Sequence, residues 1–130
     1  MSILVGEPGH VPYEKDIPST LAAMQTVVGG TIQAVYPFPE AVALICNDEG
    51  KLLDLPLNRA LRDDDGSIYD VVVGTFFLCG APADAEDFAS LTDEEIQKFR
   101  KHFWHPEAFI RAGGVIFVIS AEESKNETEV

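Results

Sequence analysis

The chain has 130 residues, 46% of them hydrophobic, and carries 22 acidic against 9 basic side chains, for a formal net charge of −13. That length suits one domain that buries a core without staples, and no apolar run reaches the ~18 residues a bilayer span needs. The negative charge disfavours a role that tracks nucleic-acid phosphates or an anionic membrane, and suits either plain solubility or a basic partner protein.

The first residues, Ser2 to Gly6 (SILVG), predict a short strand stopped by Glu7-Pro8-Gly9. They lack a basic region before the apolar run, so no secretory leader is expected and the expected location is the cytoplasm of a host cell. GHVPYEKDIP reads as a loop that carries His10 and Lys15. A helix start is expected at Asp16 to Ser19, and Leu21, Met24, Val27 and Val28 then fall on one helical stripe. Gly29-Gly30 ends that helix, because glycine takes the left-handed conformation without steric cost.

Thr31 to Phe38 and Ala41 to Asn47 predict two further strands around a Pro37–Glu40 turn. Leu52 to Leu55 predicts a short strand, followed by an irregular piece through Pro56–Leu61, since proline interrupts a regular strand or helix. After an acidic turn at Asp63–Gly66, Tyr69 to Gly80 (YDVVVGTFFLCG) is the longest strand signal, apolar enough for burial on both faces. Gly74 inside it predicts a bulge or a close backbone approach.

Thr92 and Glu95 form a capping-box pattern, with Leu91 and Ile96 spaced as its hydrophobic staple. Ile96, Phe99 and Phe103 give the helix a buried stripe, and Pro106 stops it. Phe109 and Ile110 are expected to fold back on the core, Gly113-Gly114 opens a last strand over Val115–Ser120, and an acidic disordered tail is expected over 121–130. The sum is an α+β fold in a single small domain: a mainly antiparallel sheet with two helices packed on one face. The last strand offers an exposed edge through which a homodimer can pair across a two-fold axis.

Chemistry-bearing patterns are sparse. His102-x-x-His105 with nearby Glu107 is short of a rigid zinc frame, so no metal is expected. No GxGxxG, Walker or GxSxG sequence occurs, and no cofactor is expected. Cys46 and Cys79 each close an apolar run and read as small buried hydrophobes, which come close only if their strands are neighbours. Asn58 and Arg59 stand out as a polar pair among leucines in a proline-broken segment. A guanidinium fits phosphate or carboxylate, so Asn58, Arg59, Arg62, His10 and Lys15 are the candidate ligand-binding set if their loops converge. The competing reading has Arg59 tying down its own segment by bonding carbonyls and Asn58 capping a turn.

Five blocks, PGHVPYEKDI, LAAMQTVVGGTIQAVYP, NDEGKLLDLPLNRAL, YDVVVGTFFLCG and SLTDEEIQKF, in that order, resemble an uncharacterised domain-of-unknown-function family of small proteins from phages, plasmids and conjugative elements. The resemblance covers about Ile3 to Phe109. It implies an accessory role in a mobile element and no particular reaction. The expected function is therefore a non-catalytic binding protein, in its strongest form a counter-defence factor, that captures a host protein or a small phosphorylated ligand. The alternative is a small enzyme with a site around Asn58, Arg59, Tyr69 and Asp70. A DNA mimic ranks last, because the acids cluster in turns and tail.

Overall fold

The computed structural model describes residues 1–120; the tail expected over 121–130 lies outside them. In chain order the elements are β1 (Ser2–Gly6), β2 (Tyr13–Asp16), α1 (Leu21–Val28), β3 (Ile32–Val35), β4 (Val42–Asn47), β5 (Leu57–Arg62), β6 (Ile68–Val73), β7 (Phe76–Gly80), α2 (Asp93–His102), β8 (Glu107–Ala112) and β9 (Val115–Ser120). Five strands form one antiparallel sheet in the order β2-β1-β7-β4-β3. β5–β6 and β8–β9 are separate two-stranded ladders. The α+β class with mainly antiparallel pairing is as expected.

β7 (FFLCG) is the middle strand, and all five of its residues are buried. Side chains alternate across a pleated strand, so the sheet has two cores. On one face Leu4, Val42, Leu44, Phe76 and Leu78 pack with Ile96 and Phe99 of α2, with Phe103 at its C-cap and with Leu61 and Val72 of the β5–β6 hairpin. On the other, Ile3, Val5, Ala43, Ile45, Phe77 and Cys79 pack with Val28 and the half-buried residues of α1. The helices thus lie on opposite faces, not on one. The reason is the doubly apolar β7: each face of the central strand needs its own cover.

Cys46 and Cys79 sit on neighbouring strands but pack against opposite cores, and both are free thiols. Burial pushes the Cys79 thiol up to about 12, so it stays protonated.

The start of α1 lies later than the Asp16–Ser19 expected, because Asp16 ends β2 and the Thr20 side chain caps the helix by accepting from the Ala23 N–H; the end of α1 and the start of α2 follow their local sequence. Thr92 accepts from the Glu95 N–H, and the Glu95 carboxylate accepts from the Thr92 N–H. Gly29 takes the left-handed conformation at the end of α1 (φ 78°) and donates to the Gln25 carbonyl. A Cβ on Gly30 would fall 2.8 Å from Asn47 Nδ2. That close approach lets Asn47 donate to the Val28 carbonyl and join the helix end to β4. The expected α1 stripe is only partly buried, because Leu21 lies at the open end of the helix and is exposed.

Four segments differ from expectation. The loop read over residues 9–18 contains β2, whose four exposed residues pair with β1 from Ser2↔Asp16 to Val5↔Tyr13. An edge strand without apolar alternation leaves no period to detect, and its charges guard the open edge. The strand expected over Leu52–Leu55 is a turn, closed by Leu53 N–H to Glu49 O and Leu55 N–H to Gly50 O, and the true strand β5 begins just after Pro56. Pro56 has no N–H to give, but its carbonyl accepts from Gly74 at 2.7 Å, so it seats the strand start and does not break it.

The long strand over Tyr69–Gly80 turns a corner at Gly74 (φ 73°), and its halves, β6 and β7, belong to different sheets. A Cβ at Gly74 would meet Leu55 Cδ1 at 2.8 Å, so what closely approaches the glycine backbone is the Leu55 side chain, not a neighbouring backbone. Phe109 and Ile110 belong to β8, part of a hairpin with β9 from Glu107↔Ser120 to Ala112↔Val115. Ile110 is exposed there and does not fold back on the core.

Candidate functional site

Asn58 and Arg59 lie side by side at the start of β5, 0% and 1% exposed. The Asn58 Nδ2 donates to the carbonyls of Gly6 (2.9 Å) and Gly74 (2.8 Å), while its Oδ1 accepts from Arg59 Nη1 (2.8 Å). Arg59 Nη2 donates to the His10 carbonyl (2.6 Å) and, with Nε, to the Phe103 carbonyl. One polar pair therefore holds the end of β1, the Gly74 corner, the loop before β2 and the end of α2. The guanidinium has no carboxylate within ion-pair distance among the described residues; backbone carbonyls solvate it. Burial lowers its proton affinity from the ordinary arginine value, and Glu107 offsets part of that.

The other members of the sequence-derived set are dispersed. His10 contributes its carbonyl to Arg59, and the residue is exposed. Lys15 is exposed on β2 opposite Ile3, a residue of the α1-side core, whereas Arg59 bonds the end of α2 on the other side. Arg62 makes a two-pronged ion pair with Glu107, Nη1 to Oε1 at 3.2 Å and Nη2 to Oε2 at 3.0 Å. The structure brings together only Asn58, Arg59 and the His10 backbone, in the interior.

The four residues of the alternative site are also split. Asp70 pairs with Lys51 at 2.7 Å on the surface, Tyr69 is 56% exposed, and Asn58 and Arg59 are enclosed. Among the described residues no three His, Cys, Asp or Glu side chains are grouped to hold a metal ion. His102 instead packs edge-on against Phe38 and Phe103. That packing, with Lys98 and Arg62 nearby, lowers its pKa below the usual histidine value.

An open concave surface lies elsewhere. A groove of about 590 Å³ runs between the β5–β6 hairpin and the β8–β9 hairpin. Its apolar wall includes Leu55, Leu57, Ile116 and Val118, and Tyr69 and Arg111 stand at its sides. Asp54 and the Lys51–Asp70 ion pair line it as well. Glu107 sets the position of its outer wall: only 7% of its side chain is exposed, and it accepts from the Ala60 N–H and from Arg62, docking β8 beside β5. Ile68 of β6 and Ile116 of β9, which line the groove, are exposed, as are Leu52 and Leu53 on the 51–54 turn. Of the residues singled out in the sequence, Tyr69 and Asp70 line this groove, but nothing in the sequence points to the groove as a whole. Glu107 meets Ala60 across 47 residues, and β8 itself carries no strand period.

No helix among the described residues is long and apolar enough to cross a membrane. No curated protein and no solved structure matches the chain. A family model described as a domain of unknown function, DUF3846, matches residues 1–104, which covers the five-stranded sheet, both helices and the buried Asn58–Arg59 pair and ends before the β8–β9 hairpin. The chain belongs to that family of uncharacterised domains.

Proposed function

We propose that the protein is a non-catalytic binding protein that takes apolar side chains of a basic partner protein into the groove between its two hairpins. The setting we propose is the host-cell cytoplasm, where it serves a phage or other mobile element, counter-defence being the strongest form of that role. The resemblance of the PGHVPYEKDI, LPLNRAL and YDVVVGTFF blocks to proteins of such elements supports the setting.

One observation carries the reading. The groove has an apolar wall and the volume of a binding pocket, and exposed Ile68, Tyr69 and Ile116 line it. Clustered exposed apolar side chains are the usual mark of an interaction surface. A net charge of −13 favours a basic partner and speeds the encounter. The reading prefers a protein to a small phosphorylated ligand, because Arg59 is spent on backbone carbonyls and Arg62 on Glu107.

The test is affinity retention from host lysate followed by native mass spectrometry, with wild type, Ile68→Glu and Tyr69→Glu. Both substituted side chains are about half exposed, so both variants are expected to fold, which circular dichroism checks. The expected result is a protein retained by wild type, lost from both variants and released as salt rises. Retention unchanged in both variants, or a bound small molecule in place of a protein, overturns the reading.

A further inference from the structure

The β8–β9 hairpin has two faces, and only one borders the groove. The register pairs Ala112 with Val115, Ile110 with Phe117 and Ala108 with Ile119. Directly paired side chains share a face, so these six residues form the outward face, opposite the one that carries Glu107, Phe109, Arg111, Ile116 and Val118. The strands place no charged or polar side chain on that outward face. Ile110, Val115 and Phe117 are 49%, 54% and 53% exposed there. β9 is apolar at successive positions from Val115 to Ile119, the composition of a strand covered on both faces, and among the described residues nothing covers the outward one.

We propose that the cover is a second copy of this chain, with the outward faces of two β8–β9 hairpins packed together about a two-fold axis. The charge distribution selects this occupant. A basic partner would need acids on the face it meets, and the two strands supply none there. Two copies, each at −13, repel one another wherever acidic surfaces approach, and a charge-free face lets them touch without opposing carboxylates directly. An isologous contact also needs a self-complementary patch, and a uniformly apolar face is self-complementary. The residues that follow, 121–130, hold four glutamates and one lysine, a composition unsuited to covering an apolar face. The pairing leaves the groove on the other side of the hairpin open, so it is independent of the partner proposed above.

The experiment is sedimentation velocity on the full chain, with wild type, Phe117→Glu and Ile110→Lys, up to about 100 μM. The expected result is a wild-type dimer whose dissociation constant rises at least about tenfold in each variant. Added salt should tighten the wild-type dimer, because it screens the repulsion between like-charged copies and leaves the apolar contact intact. Circular dichroism of each variant confirms that its monomer is folded. A third variant, Phe117→Ser, repeats the test without adding charge and is also expected to be monomeric. A wild-type monomer throughout that range, a dimer untouched by folded variants, or a dimer loosened by salt each overturns the proposal. So does a wild type that is monomeric alone and buries this face only against a different protein.

Discussion

β5–β6 and β8–β9 are both two-stranded antiparallel hairpins, and they reach opposite ends. β5–β6 sends Leu61 and Val72 into the α2-side core and fastens itself with Asn58 and Arg59. β8–β9 is docked by Glu107 through Ala60 and Arg62, and it leaves three large apolar side chains of its outward face in solvent. Buried polar atoms are costly unless every one is paired, so the Asn58–Arg59 pair demands one arrangement of four chain segments and thereby specifies it. Apolar side chains at a surface demand only cover, and any matching face supplies it. The first hairpin is built to stay fixed and the second to be met.

The largest expected effect comes from the fixed side. Arg59→Ala removes the donors that serve the Phe103 and His10 carbonyls and leaves Asn58 Oδ1 unpaired, which should cost about 3 kcal/mol or more at roughly 1–3 kcal/mol per stranded buried group. Urea unfolding measures it. A variant with unchanged stability would show that the guanidinium is not a structural anchor and would return Arg59 to the list of ligand contacts.

Glu107→Ala acts at the join between the hairpins. It removes the partner of the Ala60 N–H and one member of an ion pair whose arginine is 41% exposed. Screening discounts the ion pair, so the expected loss is about 1–2 kcal/mol. Hydrogen exchange should locate the change, with β8–β9 amides accelerated and β7 amides unaffected. Equal acceleration in β7 would mean that the β8–β9 hairpin and the five-stranded sheet are not separable units.

A smaller effect is expected in pH dependence. His102 holds its proton less tightly in the folded chain, because it packs against Phe38, Phe99 and Phe103 beside Lys98 and Arg62. The unfolded state therefore binds the proton first as pH falls below the ordinary histidine value of about 6.5. Stability contributed by neutral His102 is complete above that pH and is lost as pH falls toward the folded-state pKa. Thermal melts of wild type and His102→Gln across that window should show a shallower decline in the variant. Parallel curves would show that the ring does not feel its aromatic surroundings.

The smallest effect belongs to the open side. Phe117→Ser alters a side chain that is 53% exposed, so monomer stability should change by no more than about 0.5 kcal/mol. A larger loss in the isolated monomer would mean that the outward face packs within its own chain.

Local patterns were legible in proportion to how locally they act. The Thr92–Glu95 capping box, the Gly29 cap and the Gly74 close approach each involve atoms a few residues apart or a backbone conformation only glycine adopts easily, and all three stand in the structure. β2 was hidden because its four exposed residues carry no apolar alternation. Pro56 misled because proline is excluded from strand interiors but tolerated at a strand start. The candidate site was least legible. Arg59 finds its carbonyls 44 and 49 residues away, and nothing near it in sequence tells whether the guanidinium turns inward to backbone or outward to a ligand.

By itself, then, the amino-acid order determined the α+β class, the buried strand FFLCG, the two helices with the α2 capping box and the Gly29 cap, and the net negative charge. These follow from hydrophobic period, capping geometry and composition, which operate over a few residues or over the whole chain at once. Tertiary structure alone decided that the helices take opposite faces, that Tyr69–Gly80 splits between two sheets, that Asn58 and Arg59 are enclosed, and that a groove opens between the hairpins. Those outcomes depend on which distant segments supply each buried donor with an acceptor and each apolar face with a cover, and that pairing exists only once the chain has folded.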